Sequence, residues 1–270
     1  MVFQSPGAIF LKLGPLTIRW YGVMIALGFV VATTAAARLA KQLEINPEKL
    51  INCAFITFIG GVIGARLYFV GLSWPYFQHN PEDILAIWKG GLSIHGGIIG
   101  GTIAGWLYCK RQKLPALKYA DVISAAAPIA QAIGRWGNFF NSEAFGRPVA
   151  DDFPLRLFIP RENRPLPYMG NDYFHPTFLY ESVWDFALFL LLYFVIAPRF
   201  KRYSGLTFIA YLAGYSLGRL FIEPLRVDSI MIAGAQAPFV VSAATLILAI
   251  ISIFIVVQTN RQSNGEGSSH

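Results

Sequence analysis

Residues 134–148 read GRWGNFFNSEAFGRP, and they end an apolar run and begin the longest polar segment of the chain. Arg135 lies close to the end of that run. An arginine at membrane depth costs roughly 2.5–3.5 kcal/mol on insertion scales, unless its side chain reaches the surface. The glycine and asparagine residues that follow allow the backbone to leave the helix and to approach a ligand closely. The stretch therefore predicts either a helix end with a surface-reaching arginine or part of a binding site.

The composition is that of a membrane protein. Of the 270 residues, 55% are hydrophobic and 14% are charged, and the mean hydropathy is +0.50. A soluble domain carries about 25% charged residues, so the deficit is large. The net charge is +7, but no basic stripe interleaved with aromatic residues lies outside the apolar runs, so we expect no nucleic-acid partner. Cys53 and Cys109 lack metal-ligand spacing, and we interpret them as reduced packing residues.

Seven apolar runs are candidates to cross a bilayer, whose hydrocarbon core of roughly 30 Å needs about 20 apolar residues per helix. The runs are Ile18–Ala40, Leu50–Leu72, Leu92–Cys109, Tyr119–Phe140, Thr177–Ala197, Leu206–Phe221 and Ala237–Gln258. The third run is short and rich in glycine, which makes it the weakest candidate. The runs predict an all-α integral membrane protein with about seven transmembrane helices.

The basic residues determine the predicted orientation. Those in the first, third and fifth connections are Arg38, Lys41, Lys49, Lys110, Arg111, Lys113, Lys118, Arg199, Lys201 and Arg202. Cytoplasmic loops carry an excess of Lys and Arg, so we expect the N-terminus outside and the C-terminus in the cytoplasm. Residues 141–175 mix both signs of charge, and we expect a polar extracytoplasmic loop between the fourth and fifth helices. Residues 1–260 would be a single polytopic membrane domain, and residues 261–270 a disordered tail.

Polar residues within or at the ends of the apolar runs fall on one side of the membrane in this orientation. They are Tyr21, Arg66, His95, Arg135, Asn138, Glu181, Asp185, Tyr215, Arg219 and Glu223. The inner half offers little beyond Asp121. Ionisable groups inside membrane spans indicate functional sites by default. We therefore expect one shared polar site in the outer half of the membrane.

The charges of this site allow more than one pairing. Arg219 and Glu223 are four residues apart and can form an ion pair within one helix. Two arginines from different helices could instead form a fork for an anionic group, with a geometry suited to phosphate. A phosphate in the outer leaflet belongs to a lipid headgroup.

Two further arginines need partners. Glu181 or Asp185 could pair with Arg66. Glu143 could pair with Arg135 if its segment folds back on the helix.

His95 lies among glycines in the sequence GGLSIHGG at residues 90–97. A lone histidine near a helix start is more often structural. Its predicted depth beside the arginines favours function, because an imidazole with a pKa near 6.5 can take up a proton at neutral pH.

These residues resemble the motifs of the bacterial prolipoprotein diacylglyceryl transferases. The matching segments are His95–Gly97, Gly134–Gly146, His175–Thr177, Leu179–Glu181 and Tyr215–Arg226. The resemblance implies a multi-pass enzyme of the bacterial plasma (inner) membrane. It would move the diacylglyceryl group of phosphatidylglycerol, a membrane lipid, to the thiol of the lipobox cysteine in a prolipoprotein signal peptide. Glycerol 1-phosphate would be released in this first step of lipoprotein maturation.

The resemblance also implies a role for individual residues. The catalytic residues would be His95, Arg135 and Arg219. The residues that bind phosphatidylglycerol would be Arg135, Asn138, Arg219, Tyr21 and Tyr215. The supporting residues would be Glu143, Glu223, Gly146, Glu181 and Arg66. No cofactor is implied, and the sequence has no metal-ligand spacing such as HExxH.

Two other classes of protein fit the sequence less well. A transporter should have polar groups on both sides of a midplane site, whereas the inner half is nearly bare. An intramembrane protease needs a serine–histidine pair, paired aspartates or a zinc motif at depth. Ser93 is only two residues from His95, which places the two side chains on different faces of a helix.

Overall fold

The structure is a computed structural model, and it describes residues 1–14, 16–229, 231–232 and 234–266. Its helices are α1 Trp20–Gln42, α2 Pro47–Leu72, α3 Trp74–Phe77, α4 Ile94–Arg111, α5 Ala116–Asn141, α6 Thr177–Leu191, α7 Ala197–Arg199, α8 Leu206–Ile222 and α9 Ala237–Glu266. The π-helical turn Leu192–Ile196 joins α6 to α7. Short 3₁₀ helices cover Pro81–Leu85, Ile87–Lys89, Arg161–Asn163, Leu166–Tyr168 and Glu223–Leu225. Each predicted apolar run is helical over nearly its whole length, because a backbone in lipid must satisfy its own hydrogen bonds.

Within the described residues, four helices are long and apolar enough to cross a membrane. They are Trp20–Gln42, Pro47–Leu72, Thr177–Arg199 and Ala237–Thr259. The mostly helical chain with several such helices is that of a multi-pass membrane protein. The remaining long helices, α4, α5 and α8, are shorter or carry more polar residues.

The chain divides into two compact units, of which the smaller is residues 36–120 and the larger is residues 1–35 and 121–270. In the smaller unit, α2 and α4 pack through glycines. A Cβ added to Gly64 would lie 2.4 Å from the carbonyl oxygen of Gly96, and one added to Gly100 would lie 2.4 Å from that of Gly60. Small residues four apart therefore bring the two backbones into direct contact. Cys53 and Cys109 are buried and free in this unit.

In the larger unit, hydrogen bonds from side chains fix how α5, α6 and α8 pack. Asp121 of α5 accepts hydrogen bonds from the backbone N–H groups of Gly205 and Phe208, at 2.7 and 2.9 Å, and so caps the start of α8. Ser182 of α6 donates to the carbonyl of Ala132 at 2.9 Å. Trp184 donates to the carbonyl oxygen of Gly214 at 3.0 Å, which joins α6 to α8.

Within the described residues, three small β-sheets accompany the helices, and the sequence pattern did not indicate them. One sheet has the order β1-β4-β5, with β1 parallel to β4 and β4 antiparallel to β5. The other two are the hairpins β2–β3 and β6–β7. The strands are β1 Val2–Gln4, β2 Ile9–Leu13, β3 Leu16–Arg19, β4 Arg156–Phe158, β5 Tyr173–Phe174, β6 Met231–Ile232 and β7 Ala235–Gln236.

The segment predicted as a polar loop, residues 141–175, folds around an apolar core. This core contains Phe139, Phe145, Leu157, Ile159, Phe174 and Phe178. Since two of these residues belong to α5 and α6, the core ties the loop to the ends of both helices. The predicted disordered tail, 261–270, begins inside α9, which continues to Glu266, and residues 267–270 lie outside the described part of the chain.

Candidate functional site

The centre of the candidate site is Glu181, a side chain of α6 that is 3% exposed. Three arginines surround it. Arg135 of α5 places Nε 2.8 Å from Oε2, and Arg219 of α8 places Nη1 3.3 Å from Oε1. Arg226, just after α8, donates from Nη1 to Oε1 at 2.8 Å. One buried carboxylate thus gathers positive charge from three segments of the larger unit.

A second buried carboxylate lies one turn further along α6. Asp185 is 2% exposed, and its Oδ2 lies 3.7 Å from Nε of Arg135. Among the described residues, neither this oxygen nor Oε2 of Glu181 has a partner in hydrogen-bond geometry. The contacts with Arg135 are therefore ion pairs without a well-directed hydrogen bond. Both carboxylates contact Arg135 at Nε. The edge of the guanidinium that carries the two terminal nitrogen atoms is a different side of the group.

Arg219 is held at both of its terminal nitrogen atoms. Nη1 contacts Glu181, and Nη2 forms an ion pair with Glu223 of the next helical turn. The pairing within one helix that the sequence allowed is therefore present. Glu223 is 1% exposed, and its other oxygen accepts a hydrogen bond of 2.6 Å from the hydroxyl of Ser229. Arg219 therefore has a carboxylate at each terminal nitrogen atom, whereas Arg135 meets both of its carboxylates at Nε.

Arg226 was not among the predicted site residues, although the sequence places it seven residues after Arg219 on the same stripe. Asp228 binds its Nε and Nη2 at 3.0 and 2.8 Å, which leaves Nη1 for Glu181. Burial lowers the pKa of the Arg226 guanidinium, whereas the carboxylates of Glu181 and Asp228 raise it, and the net shift is upward. Arg226 therefore stays charged.

Gly146 positions the segment that carries Arg226. Its backbone pairs with Arg226 in a β-bridge, and the neighbouring Arg147 N–H donates to the carbonyl of Leu225 at 2.7 Å. A Cβ on Gly146 would lie 2.6 Å from Cβ of His175 and 3.1 Å from the Leu225 carbonyl oxygen. A side chain at this position would therefore push the two segments apart.

A second polar cluster involves Tyr21, Asn138 and Glu143, at the end of α5. Asn138 Nδ2 donates to Glu143 Oε1 at 2.9 Å, and the Tyr21 hydroxyl is within hydrogen-bonding reach of the Asn138 side chain. Gly137 lets the Tyr21 ring approach, since a Cβ there would lie 2.7 Å from Cδ2 of the ring. The predicted pairing of Glu143 with Arg135 is wrong, because Arg135 turns to α6 and the local geometry gives Glu143 the amide instead.

The predicted pairing of Arg66 with Glu181 or Asp185 is also wrong. All its N–H groups donate to backbone carbonyls of the connection between α2 and α4. The acceptors are Asp83, Ile84, Ala86, Gly90 and Gly91, at 2.5–3.4 Å. Arg66 thus supplies donors to five carbonyls of this connection and holds it against α2.

His95 is the second residue of α4, in the smaller unit. It is exposed, and its ring centroid lies 6.3 Å from that of Tyr68. The arginine and carboxylate residues of the site lie together in the larger unit, whereas His95 belongs to the smaller unit.

A small cavity of about 10 Å³ is bounded by the site residues. Its lining consists of Arg135, Glu181, Trp184, Asp185, Tyr215, Gly218, Arg219 and Ile222. This volume is enough for about one water molecule, so the charges are closed on each other in this structure. In the part of the chain that the structure describes, no group of three or more His, Cys, Asp or Glu side chains could hold a metal ion.

Arginines paired with buried carboxylates of neighbouring helices are typical of a multi-pass membrane protein with a polar site among its helices. Comparison with known proteins assigns the family. Residues 8–255 match the sequence model of the family described as prolipoprotein diacylglyceryl transferase, and the chain belongs to this family.

Similar proteins named phosphatidylglycerol–prolipoprotein diacylglyceryl transferase occur in several bacteria. The chain is 44% identical to the one from Nostoc sp. over 256 residues, which is 93% of this chain and 90% of that protein. It is 43% identical to the one from Synechococcus elongatus, over 93% of this chain and 88% of that protein. It is 41% identical to the one from Staphylococcus aureus, over 95% of this chain and 90% of that protein.

Proposed function

We propose that this chain transfers the diacylglyceryl group of phosphatidylglycerol to the thiol of the lipobox cysteine of prolipoproteins and releases glycerol 1-phosphate. This is the first step of bacterial lipoprotein maturation. The names of relatives that match over about nine-tenths of the chain support the reaction. The observation that carries the chemistry is the gathering of Arg135, Arg219 and Arg226 on Glu181.

The reaction needs positive charge where the leaving group forms. The sulfur–carbon bond forms to the glycerol carbon of the diacylglyceryl group, and the bond from that carbon to the phosphate oxygen breaks. The phosphate then leaves as a monoester and gains negative charge. Arg135 would bind that phosphate through its two terminal nitrogen atoms, since the carboxylates meet it at Nε, and the Tyr215 hydroxyl lies within hydrogen-bonding reach of the same guanidinium. Preorganised donors at developing charge usually contribute most to such a rate enhancement.

The thiol of the substrate must also lose its proton. A free cysteine thiol has a pKa of about 8.5, and the thiolate is the nucleophile. We assign proton uptake to His95, whose exposed imidazole lies at the start of α4. The rate and pH profile of His95→Gln test this role, and values equal to those of the unmodified protein would disprove it.

The remaining groups bind the lipid or orient the arginines. Tyr21, Asn138 and Tyr215 would contact phosphatidylglycerol. Glu143 and Glu223 would hold their neighbours in position.

The membrane arrangement that supports this chemistry has seven spans formed by α1, α2, α4, α5, α6 with α7, α8 and α9. The N-terminus would lie outside the plasma (inner) membrane and the C-terminus in the cytoplasm. Residues 141–175 would face the extracytoplasmic side. The distribution of Lys and Arg between the connections supports this orientation. The active site would then lie in the outer half, where the phosphate of the lipid is found.

Release of glycerol phosphate by the purified protein in detergent tests the function directly. Phosphatidylglycerol is supplied with a lipobox peptide that carries either Cys or Ser. We expect release that requires the cysteine and forms a thioether-linked peptide. Arg135→Ala should abolish it, whereas Arg161→Ala, an exposed arginine of the loop, should not.

Two outcomes would contradict the proposal. Release with the Ser peptide would indicate hydrolysis of the lipid. A folded protein that releases nothing would favour transport.

A further inference from the structure

Two buried oxygen atoms of the site lack a hydrogen bond within the described residues: Oε2 of Glu181 and Oδ2 of Asp185. Their residues are 3% and 2% exposed and lie on successive turns of α6. Buried polar atoms are nearly always hydrogen-bonded, so an unpaired acceptor needs a reason. Both oxygens contact Nε of Arg135 outside hydrogen-bond geometry, at 2.8 and 3.7 Å, so each keeps lone pairs that can receive a donor from a ligand.

The two oxygens have a defined position relative to the phosphate proposed above. Both approach Arg135 at Nε, at 2.8 and 3.7 Å. They also line the same cavity as Arg135 and Arg219. A phosphate on the terminal nitrogen atoms of Arg135 would therefore have both acceptors next to it. Any group attached directly to that phosphate would meet them.

We propose that Glu181 and Asp185 accept hydrogen bonds from the two hydroxyls of the terminal glycerol of phosphatidylglycerol and thereby select this headgroup. The proposal rests on the proposed function. The headgroup carries two neighbouring hydroxyls close to its phosphate, which matches two neighbouring acceptors on one helix face. A site built to bind a substrate hydroxyl can reject an analogue without it by as much as about 10⁴-fold, because its buried polar groups are then left unpaired.

The charges around the two carboxylates favour a neutral donor over a cation. Glu181 already has three arginines as partners. An ammonium headgroup would meet these positive charges, and a serine headgroup would bring its own carboxylate against Glu181 and Asp185. A diol adds two donors without adding charge.

A comparison of two lipids tests the selection. Phosphatidylpropanol has the same phosphodiester charge as phosphatidylglycerol but no headgroup hydroxyls. We expect the unmodified protein to show a kcat/KM at least 100-fold higher with phosphatidylglycerol. Asp185→Leu should lower kcat/KM for phosphatidylglycerol about tenfold more than it lowers kcat/KM for phosphatidylpropanol.

Two further variants separate selection from folding. Asp185→Asn keeps the size and one acceptor oxygen, so we expect it to retain most of the selectivity and to lose a few-fold in the ratio of the two kcat/KM values. This variant decides the question if Asp185→Leu does not fold, and an unchanged ratio would then overturn the proposal. Ser182→Ala is the matched control, because it removes a buried hydrogen bond of the same helix to Ala132. It should affect both lipids equally.

Equal loss with both lipids in Asp185→Leu would show that Asp185 is structural and would overturn the proposal. So would a native protein that uses phosphatidylpropanol or phosphatidylethanolamine as well as phosphatidylglycerol. A native protein that makes no thioether product from phosphatidylglycerol would instead overturn the proposed function, and this inference with it.

Discussion

Arg135 and Arg66 are two arginines within the helices of this protein, and their partners differ in kind. Arg66 of α2 is 7% exposed and gives all its N–H groups to backbone carbonyls of the connection that follows its helix. Arg135 of α5 has a side chain that is 21% exposed and meets the carboxylates of Glu181 and Asp185. The first arrangement holds a loop, and the second gathers charge.

The difference shows which arginine can take part in chemistry. Five backbone carbonyls would each lose a donor if Arg66 moved away, so it cannot leave them without cost. Glu181 contacts three arginines, so one of them can bind an incoming phosphate while the other two still pair with the carboxylate. We therefore expect substitutions of Arg135 to act on turnover and substitutions of Arg66 to act on stability.

The largest effect should come from Arg135→Lys. This change keeps the positive charge but removes the planar fork that binds two phosphate oxygens at once. We expect kcat/KM for phosphatidylglycerol to fall about 100-fold, with a melting temperature in detergent close to that of the native protein. Activity near the native value would show that charge alone suffices and that the fork is not used.

Arg66→Ala should have the opposite signature. The connection from Asp83 to Gly91 would lose its donors, and breaking a buried hydrogen-bond network is among the costly classes of substitution. We expect the melting temperature to fall by about 5–10 °C, measured by thermal unfolding in detergent. The turnover of the fraction that remains folded should stay within about threefold of the native value. A native melting temperature with lost turnover would place Arg66 in the active site instead.

The sequence could predict the helices and the membership of the site better than its pairings. Apolar runs of about 20 residues dictate helices in lipid, and the runs agree with the helices to within a few residues except at the end of α9, which continues to Glu266. Charged residues at helix ends marked Arg135, Arg219 and Glu181 correctly as members of one cluster. Arg66 has the same sequence signature, but its partners are backbone carbonyls, which leave no trace in the side chains. The partner of each arginine therefore depends on how the connections between the helices fold. The spacing of apolar residues along a helix carries no information about that.

The small sheets were missed for a related reason. Strands of two to five residues are too short to show a clear alternation of apolar and polar residues. Arg226 ends the motif segment Tyr215–Arg226, but its contact with Glu181 depends on Asp228 and on the bridge to Gly146. Such contacts join segments far apart in sequence.

Gly146→Ala sharpens the comparison, because it should disturb the arginine cluster without touching any arginine. The added Cβ would clash with His175, and the segment that carries Arg226 would shift. Overpacking of this kind costs about 1–3 kcal/mol, and small displacements of positioning groups can reduce turnover substantially. We expect kcat to fall about tenfold, measured by glycerol phosphate release. Gly170→Ala, which has open space at its Cβ, is the control and should leave kcat unchanged.

The smallest effect should be a dependence of loop stability on pH, through His175. This residue precedes α6, and its ring contacts the hydroxyl of Tyr180 at 3.2 Å, while its backbone pairs with Gly146 and Arg147. Burial lowers the pKa of His175 below its ordinary value of 6.5. The unfolded loop therefore binds a proton more readily than the folded one, so the stabilisation is complete above pH 6.5 and decreases as pH falls below it.

Hydrogen exchange of the amides of residues 146–147 should increase between pH 7 and pH 5.5, after correction for intrinsic rates. In His175→Gln this increase should be absent, and in the connection held by Arg66 it should be absent in both proteins. An equal increase in both units would show that the change is global and does not arise from His175.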